Sequence, residues 1–208
     1  MELNKYTISI YTEDNVGLLN RISAIFLKRH INIISITCSE SEISNIYRFI
    51  IVVHVDFDQI KKLVKQIEKQ IEVIAAFYHT DDETIFLETA LYKVKSESLF
   101  EERQIQNIIK ESRANMVTVK PEYFVIEKTG WREETEDLYQ KLKPYGLLQF
   151  VRSGRISVSK KSMEISKFLK LKLERIGFKV IELENNKRTK LDKNAYLNII
   201  IHVFLQLL

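Results

Sequence analysis

The sequence predicts an α+β fold in which the element order strand, helix, strand, strand, helix, strand occurs twice. Three observations support this prediction: strands in which apolar and polar residues alternate, helices whose apolar residues recur every three or four positions, and a second run of the same order after residue 80. A chain of 208 residues with 45% hydrophobic residues can bury two small cores. We therefore expect domains at residues 1–80 and 81–162, followed by a helical extension and tail at 163–208.

The first predicted unit starts with a strand at Tyr6–Ile10, where apolar and polar residues alternate. The runs Ile31–Cys38 and Tyr47–Val55 favour strands and flank a polar stretch, which predicts a hairpin. A strand at Val73–His79 closes the unit. Two helices are predicted, one between the first and second strands and one between the third and fourth. Helical spacing predicts inward positions for Leu18, Leu19, Ile22, Ile25 and Phe26 in the first helix, and for Ile60, Leu63, Val64, Ile67 and Ile71 in the second.

The second predicted unit repeats the element order but shares no obvious residue-level identity with the first. Pro121 marks a turn between two strands because proline cannot donate a ladder hydrogen bond. The predicted elements are a strand at Thr84–Val94, a helix at Glu101–Arg113 with Ile105, Ile108 and Ile109 inward, strands at 115–119 and 123–128, a helix at 132–142 and a strand at 147–159. Two such units in tandem are ferredoxin-like, which is the fold class that we predict.

The composition argues against a nucleic-acid or membrane partner. The formal net charge is only +4, far from the basic stripe of a dedicated nucleic-acid binder. Tyr47 and Phe49 lie in an aliphatic strand without the glycine–aromatic signature of the RNA-recognition fold. The most apolar stretch, Tyr196–Leu208, is too short for an ordinary membrane span, and no signal-peptide pattern opens the sequence. With Cys38 as its single cysteine, the chain is predicted to be cytoplasmic.

The sequence gives little support for catalysis. The four histidines are scattered along the chain, at His30, His54, His79 and His202. No histidine and carboxylate cluster has the spacing of a metal site. We interpret Cys38 as a packed thiol rather than a nucleophile, because no histidine is fixed beside it by sequence. We therefore expect no catalytic residue, no metal ligand and no cofactor-binding residue in this chain.

Gly17 stands where strand alternation changes to helical spacing, in the turn before the first helix. A dinucleotide-binding turn needs several glycines, and this turn has one. One glycine can still leave room for a smaller anion, such as an amino-acid carboxylate, on the unpaired N–H groups of the helix start. Alternatively, Gly17 only relieves crowding in a tight turn. Asp14 or Asn15 can cap the helix through a side-chain oxygen.

The stretch TEDNVGLLNRISAIFLKRHINIISI resembles an ACT domain, the small ligand-sensing module of amino-acid metabolism. More narrowly, it is similar to the family of acetolactate synthase small (regulatory) subunits. The family's first turn reads Glu-Asn-x-x-Gly-x-Leu, and its second strand begins Asn-Ile-Glu-Ser-Leu. The matching residues are Glu13, Asp14, Gly17 and Leu19 in the turn, and Asn32, Ile33, Ile34, Ser35 and Ile36 in the strand. Asp14 stands where the family usually has Asn, and Ile34 where it has Glu.

The second half of the chain resembles the C-terminal domain of the same family. The match includes Thr129, Gly130 and the closing Arg-Ser-Gly-Arg at 152–155. The resemblance covers roughly residues 5–162, so it implies an ACT domain at 1–80 and a C-terminal regulatory-subunit domain at 81–162. Two interpretations of Arg152 and Arg155 remain open. They are either solvated strand ends or residues that maintain the surface engaging a catalytic chain.

The resemblance implies a non-catalytic regulatory subunit in branched-chain amino-acid biosynthesis. Such a chain activates a separate acetolactate synthase catalytic (large) subunit, which is expected to carry thiamine diphosphate, Mg²⁺ and FAD. It forms a homodimer through its ACT domains and mediates feedback by a branched-chain amino acid, with valine or a relative as the expected effector. A free-standing ACT-domain amino-acid sensor without such a partner is the alternative.

The family also implies where the effector binds, at the interface between two ACT domains. The implied effector-binding residues are Asp14, Asn15, Val16, Gly17, Leu18, Asn32 and Ile33. The Gly17 turn of one chain would face Asn32 and Ile33 of the other. Three roles for Asp14 remain open: its carboxylate repels the effector's carboxylate, contacts the effector's ammonium group, or caps the helix.

Overall fold

The computed structural model describes residues 2–97, 103–175, 180–181 and 190–191. These residues form two compact units, one made of residues up to Thr84 with the described residues from Ser159 onward, the other of Ile85–Val158. Each unit contains an antiparallel sheet with helices, which confirms the predicted α+β class and the repeated ferredoxin-like order. The division into functional domains at residues 80 and 162 stays a prediction.

The first unit contains a four-stranded sheet. Its elements are β1 (Asn4–Glu13), α1 (Leu18–Lys28), β2 (Ile33–Glu40), β3 (Ile46–Val55), α2 (Phe57–Ile67) and β4 (Val73–Thr80). The strand order is β2-β3-β1-β4, and every neighbouring pair is antiparallel. The two central strands are therefore β1 and β3, and β2 and β4 form the edges of this sheet.

Helices α1 and α2 pack against one face of this sheet, as the helical spacing of their apolar residues predicts. The fully buried residues of this core include Ile8, Ile10, Ile22, Phe26, Ile51, Val53, Ile60, Leu63 and Ile67. The predicted inward positions were wrong for Leu19, which is 49% exposed, and for Ile71, which is 79% exposed. Ile71 lies beyond the end of α2 at Ile67, so it no longer follows the buried stripe of that helix.

The second unit contains a five-stranded sheet. Its elements are β5 (Thr84–Lys95), α3 (Arg103–Glu111), β6 (Asn115–Val119), β7 (Tyr123–Gly130), α4 (Arg132–Leu142), β8 (Leu147–Arg152) and β9 (Ile156–Ser159). The strands lie in the order β6-β7-β5-β8, and β9 also pairs with β5. Both β8 and β9 thus use the long strand β5 as their neighbour.

The prediction of a single strand at 147–159 was wrong, because residues 153–155 interrupt it and leave two strands, β8 and β9. At the break, the backbone N–H of Ser153 donates to the Thr89 carbonyl at 2.8 Å. The Ser153 hydroxyl accepts from the Thr89 N–H at 2.9 Å. The Ser153 side chain thus takes a place in the ladder that a backbone group would otherwise fill, so regular pairing ends there.

A further helix, α5 (Ile165–Arg175), belongs to the first unit and lies at the start of the helical extension predicted from residue 163. It packs against β4 and shares a buried cluster with Tyr11, Ile74 and Ala75. Two short strands, β10 (Val180–Ile181) and β11 (Lys190–Leu191), pair with each other. Apart from these strands, the predicted tail after Arg175, including its apolar end, lies outside the described residues. Among the described helices, none has the length and apolar character that crossing a membrane requires.

Candidate functional site

The turn between β1 and α1 leaves the start of a helix open. Gly17 is the N-cap residue of α1, with φ +82°, and no side chain caps the helix. Asn15 instead donates from its side chain to Glu13 at 3.3 Å, so the predicted capping role was wrong for both Asp14 and Asn15. The Leu18 N–H donates to the Asn15 carbonyl at 3.3 Å. The following N–H groups of the first turn have no intrahelical acceptor, so they can donate to an anion.

The backbone conformation at position 17 favours glycine, and neighbouring side chains do not crowd it. Its positive φ lies in the left-handed region that disfavours a side chain. No described atom beyond its chain neighbours lies within 4 Å of where a Cβ would stand, so the crowding interpretation was wrong. The turn borders a cavity of about 170 Å³. The residues that line this effector-turn cavity are Glu13, Asp14, Asn15, Gly17, Leu18, Leu19, Cys38, Tyr47 and Phe49.

Asp14 brings negative charge to this cavity. The Asp14 carboxylate raises the pKa of the Tyr47 hydroxyl and is the largest cause of that shift. Burial raises the pKa of the Cys38 thiol, and the Asp14 carboxylate adds to that effect. Arg21, one turn further along α1, forms an ion pair with Glu72. Asp14 therefore acts electrostatically on two of the groups that line the cavity.

Five of the lining residues were not predicted to bind the effector: Glu13 and Leu19 beside Gly17, and Cys38, Tyr47 and Phe49 on strands β2 and β3. Cys38 is exposed, so its interpretation as a packed thiol was wrong. It lies directly opposite Phe49 in the β2–β3 pairing, which places both beside the turn. A register shift between Ile33 and Ser35 decides which face of β2 carries Cys38. Because the register depends on how the strands pair, the sequence alone could not show that these strand residues lie beside the turn.

The implied effector-binding residues are not all together within one chain. Asp14, Asn15, Gly17 and Leu18 line the cavity, with Leu18 also buried in the core, whereas Val16 is fully exposed. Asn32 and Ile33 lie at the start of β2, whereas Cys38 near its other end lines the cavity. Cys38 lies five positions beyond Ile33 along the strand, a distance of about 17 Å. A single chain therefore presents two separate parts of the implied site.

The side chains of Arg152 and Arg155 are mostly buried within the second unit, so their interpretation as solvated strand ends was wrong. Arg152 donates to the Glu136 carboxylate at 2.8 Å and forms an ion pair with Glu88 at 3.8 Å. Its side chain is only 12% exposed, and that of Glu88 only 6%. Arg155 is also buried, and its guanidinium lies 3.5 Å from the centre of the Phe86 ring. Arg152 thus joins helix α4 to strand β5 through two carboxylates.

The ion pairs of Arg152 affect the acid–base chemistry around it. The hydrogen bond from Arg152 lowers the pKa of Glu136 and is the largest cause of that shift. A hydrogen bond from Gln140 lowers this pKa further. Within the part of the chain that the structure describes, no group of three or more His, Cys, Asp and Glu residues could hold a metal ion.

The chain is similar to ACT-domain proteins in its first half and to acetolactate synthase small subunits over most of its length. A model of the ACT domain matches residues 6–72, and a model described as the small subunit of acetolactate synthase matches residues 87–161. The acetolactate synthase small subunit of Mycolicibacterium smegmatis is 35% identical over 155 residues, which are 74% of this chain and 91% of that protein. That of Bacillus subtilis is 36% identical over 151 residues, which are 72% of this chain and 87% of that protein.

A solved structure agrees with these relatives. The crystal structure of the acetolactate synthase small subunit from Thermotoga maritima superposes with a TM-score of 0.70 at 25% identity, covering 77% of this chain and 99% of that one. The chain belongs to the family of acetolactate synthase small subunits. This membership confirms the family resemblance and supports a regulatory subunit over a free-standing ACT sensor.

Proposed function

We propose that this chain activates a separate acetolactate synthase catalytic chain and transmits feedback from a branched-chain amino acid, with valine as the first candidate. Membership of the small-subunit family over most of the chain carries this proposal. The thiamine-diphosphate chemistry, with its Mg²⁺ and FAD, would belong to the catalytic partner. The cytoplasmic location stays a prediction.

A homodimer through the ACT domains would use the edge strand β2. Within the described residues β2 pairs only with β3, so its outer edge is open. Ile34 is 46% exposed and Ile36 is 37% exposed on this edge strand. Leu19, also exposed, lines the cavity beside Cys38. An open edge with exposed aliphatic side chains is a template for pairing with another strand, which supports dimerisation here.

This dimer would also complete the effector site. Antiparallel pairing of β2 with its copy about a two-fold axis places the start of each strand beside the end of the other. The partner's Asn32 and the partner's Ile33 would then lie near Cys38 and the Gly17 turn. The effector's carboxylate would accept from the first-turn N–H groups of α1, and its aliphatic side chain would contact Leu18 and the partner's Ile33. The two separated parts of the site thereby become one.

Activation is tested by co-expressing this chain with the acetolactate synthase catalytic chain encoded in the same genome. We expect the two to co-purify, acetolactate formation to exceed that of the catalytic chain alone, and valine, leucine or isoleucine to lower it. This chain alone should form no acetolactate. Failure to co-purify, together with unchanged activity on mixing, would favour a free-standing sensor.

The proposed dimer predicts that Ile36→Lys dissociates the chain. Each dimer would lose two buried isoleucine side chains and gain two charges, so dimerisation should weaken by about 3 kcal/mol, on the order of 100-fold. Light scattering at micromolar concentration should show a dimer for the wild type and a monomer for the variant. Ile71→Lys is the matched control, because Ile71 is 79% exposed and lies outside β2. A wild-type monomer, or a dimeric Ile36→Lys, would contradict this interface.

Asp14→Asn tests the charge at the turn. Restoring the amide that the family usually has removes a carboxylate beside the bound carboxylate and supplies a donor. We expect effector affinity to rise about tenfold, since one such polar contact contributes on the order of 1–2 kcal/mol. Calorimetric titration with valine, leucine and isoleucine measures it. Weaker binding by Asp14→Asn would show that Asp14 contacts the ammonium group instead.

A further inference from the structure

Helix α5 lies beyond the part of the chain that matches the family. The family model ends at residue 161, and α5 begins at Ile165. The helix nevertheless packs on the first unit, against the sheet face opposite the one covered by α1 and α2. The chain therefore carries an added element on the domain that contains the effector turn.

The packing of α5 is extensive and apolar. Leu169 and Leu173 are fully buried in a cluster with residues of β1 and β4. Phe168 packs edge-on against Phe77 of β4, with ring centres 5.6 Å apart. Phe77 in turn contacts the Tyr11 ring in the same geometry. Buried area of this kind holds a helix in place, because removing apolar side chains from water is favourable.

The same cluster includes the connection between β2 and β3. Ile43, which is 4% exposed, and Ile46, which is fully buried, are members of the cluster with Leu169 and Leu173. The Ser166 hydroxyl donates to the Glu42 carboxylate at 3.2 Å, a second contact to this connection. The α5 helix therefore holds the β2–β3 connection from the outer face of the sheet.

This connection reaches the effector turn through one backbone hydrogen bond. Asn45 has φ +62°, a conformation that few residues other than glycine, asparagine and aspartate adopt readily. Its carbonyl accepts from the Asp14 N–H at 3.0 Å. Asp14 is three residues before Gly17 and lines the effector-turn cavity. A continuous path of contacts thus runs from α5, through Ile43 and Ile46, to the turn.

We propose that α5 is a positioning helix for the effector site. By fixing the β2–β3 connection, it holds the Asn45 carbonyl against Asp14 and so orders the turn before the effector arrives. Ordering the turn in advance removes entropy that binding would otherwise lose, which raises affinity. The effector part of this inference rests on the proposed function, whereas the ordering of the turn does not.

The test uses the full chain with Leu169→Asn and Leu173→Asn combined, which places two amides in the buried cluster. Leu171→Asn is the matched control, because Leu171 is on the same helix and 52% exposed. Amide hydrogen exchange is read at single residues, and valine, leucine and isoleucine are titrated by calorimetry. Leu169→Ala is a milder variant in case the double variant fails to fold.

We expect Asp14 N–H exchange to be at least about tenfold faster in the double variant and effector affinity to fall about tenfold. Ladder amides between β1 and β3 should keep their protection, and Leu171→Asn should match the wild type. Unchanged Asp14 exchange, unchanged affinity, or equal acceleration of every amide would overturn the inference. A wild type that binds none of the three amino acids would refute the proposed effector site, and Asp14 exchange would still decide whether α5 orders the turn.

Discussion

A Gly17→Asp variant is expected to bind no branched-chain amino acid at concentrations that saturate the wild type. The new carboxylate would occupy the open space beside the first-turn N–H groups. Among the described residues, no atom outside Gly17 and its two chain neighbours lies within 4 Å of the Cβ position. Two unit charges ~4 Å apart near a protein surface oppose each other by about 4 kcal/mol. With Glu13 and Asp14 already lining the cavity, a further negative charge should weaken binding by at least ~100-fold. Calorimetric titration of valine measures the loss.

Gly17→Asn separates charge from backbone strain. Asparagine has nearly the shape of aspartate, lacks its charge, and like aspartate tolerates the left-handed conformation at φ +82°. Both substitutions should lower the free energy of unfolding by about 1 kcal/mol because a glycine is replaced at positive φ. Gly17→Asn should retain measurable valine binding, whereas Gly17→Asp should not. Equal binding by Gly17→Asp and the wild type would show that the effector's carboxylate does not lie over this turn.

Arg152→Ala is expected to destabilise the second unit by about 3 kcal/mol. The substitution leaves Glu88, whose side chain is 6% exposed, without its cation, and a buried charge without a partner is strongly unfavourable. It also removes the link from α4 to β5. Trp131, the only tryptophan in the sequence, lies at the start of α4 and reports on this unit. Urea unfolding followed by its fluorescence should show an earlier midpoint.

The same variant separates the roles of the two units. Activation of the catalytic chain should weaken, while valine binding to the first unit stays as in the wild type. Arg103→Ala is the control, because Arg103 is an exposed arginine on α3. Arg152→Lys keeps the charge but loses the two-pronged geometry of the guanidinium, so an intermediate midpoint is expected. An unchanged midpoint in Arg152→Ala would show that these ion pairs contribute nothing to stability.

Much of the fold could be predicted from local patterns. Alternation in β1 and helical spacing in α1 and α2 are properties of neighbouring residues. In the structure, β1 contains the predicted strand Tyr6–Ile10, and α1 and α2 contain most of the predicted apolar stripes. The glycine at the start of α1 was also recognisable, because a turn between a strand and a helix often needs a positive φ. Leu19 and Ile71 show the limit, because helical spacing does not reveal which side of a helix is left uncovered or where a helix ends.

The sequence by itself determined the order of the elements, the buried stripes of most helices and the Gly17 turn, because these depend on residues close together in the chain. Only the tertiary structure decided that Cys38, Tyr47 and Phe49 line the cavity, because the register between β2 and β3 sets which side chains face it. Only the tertiary structure, likewise, decided where α5 packs, because an apolar helical face specifies that it will be buried but not against which surface.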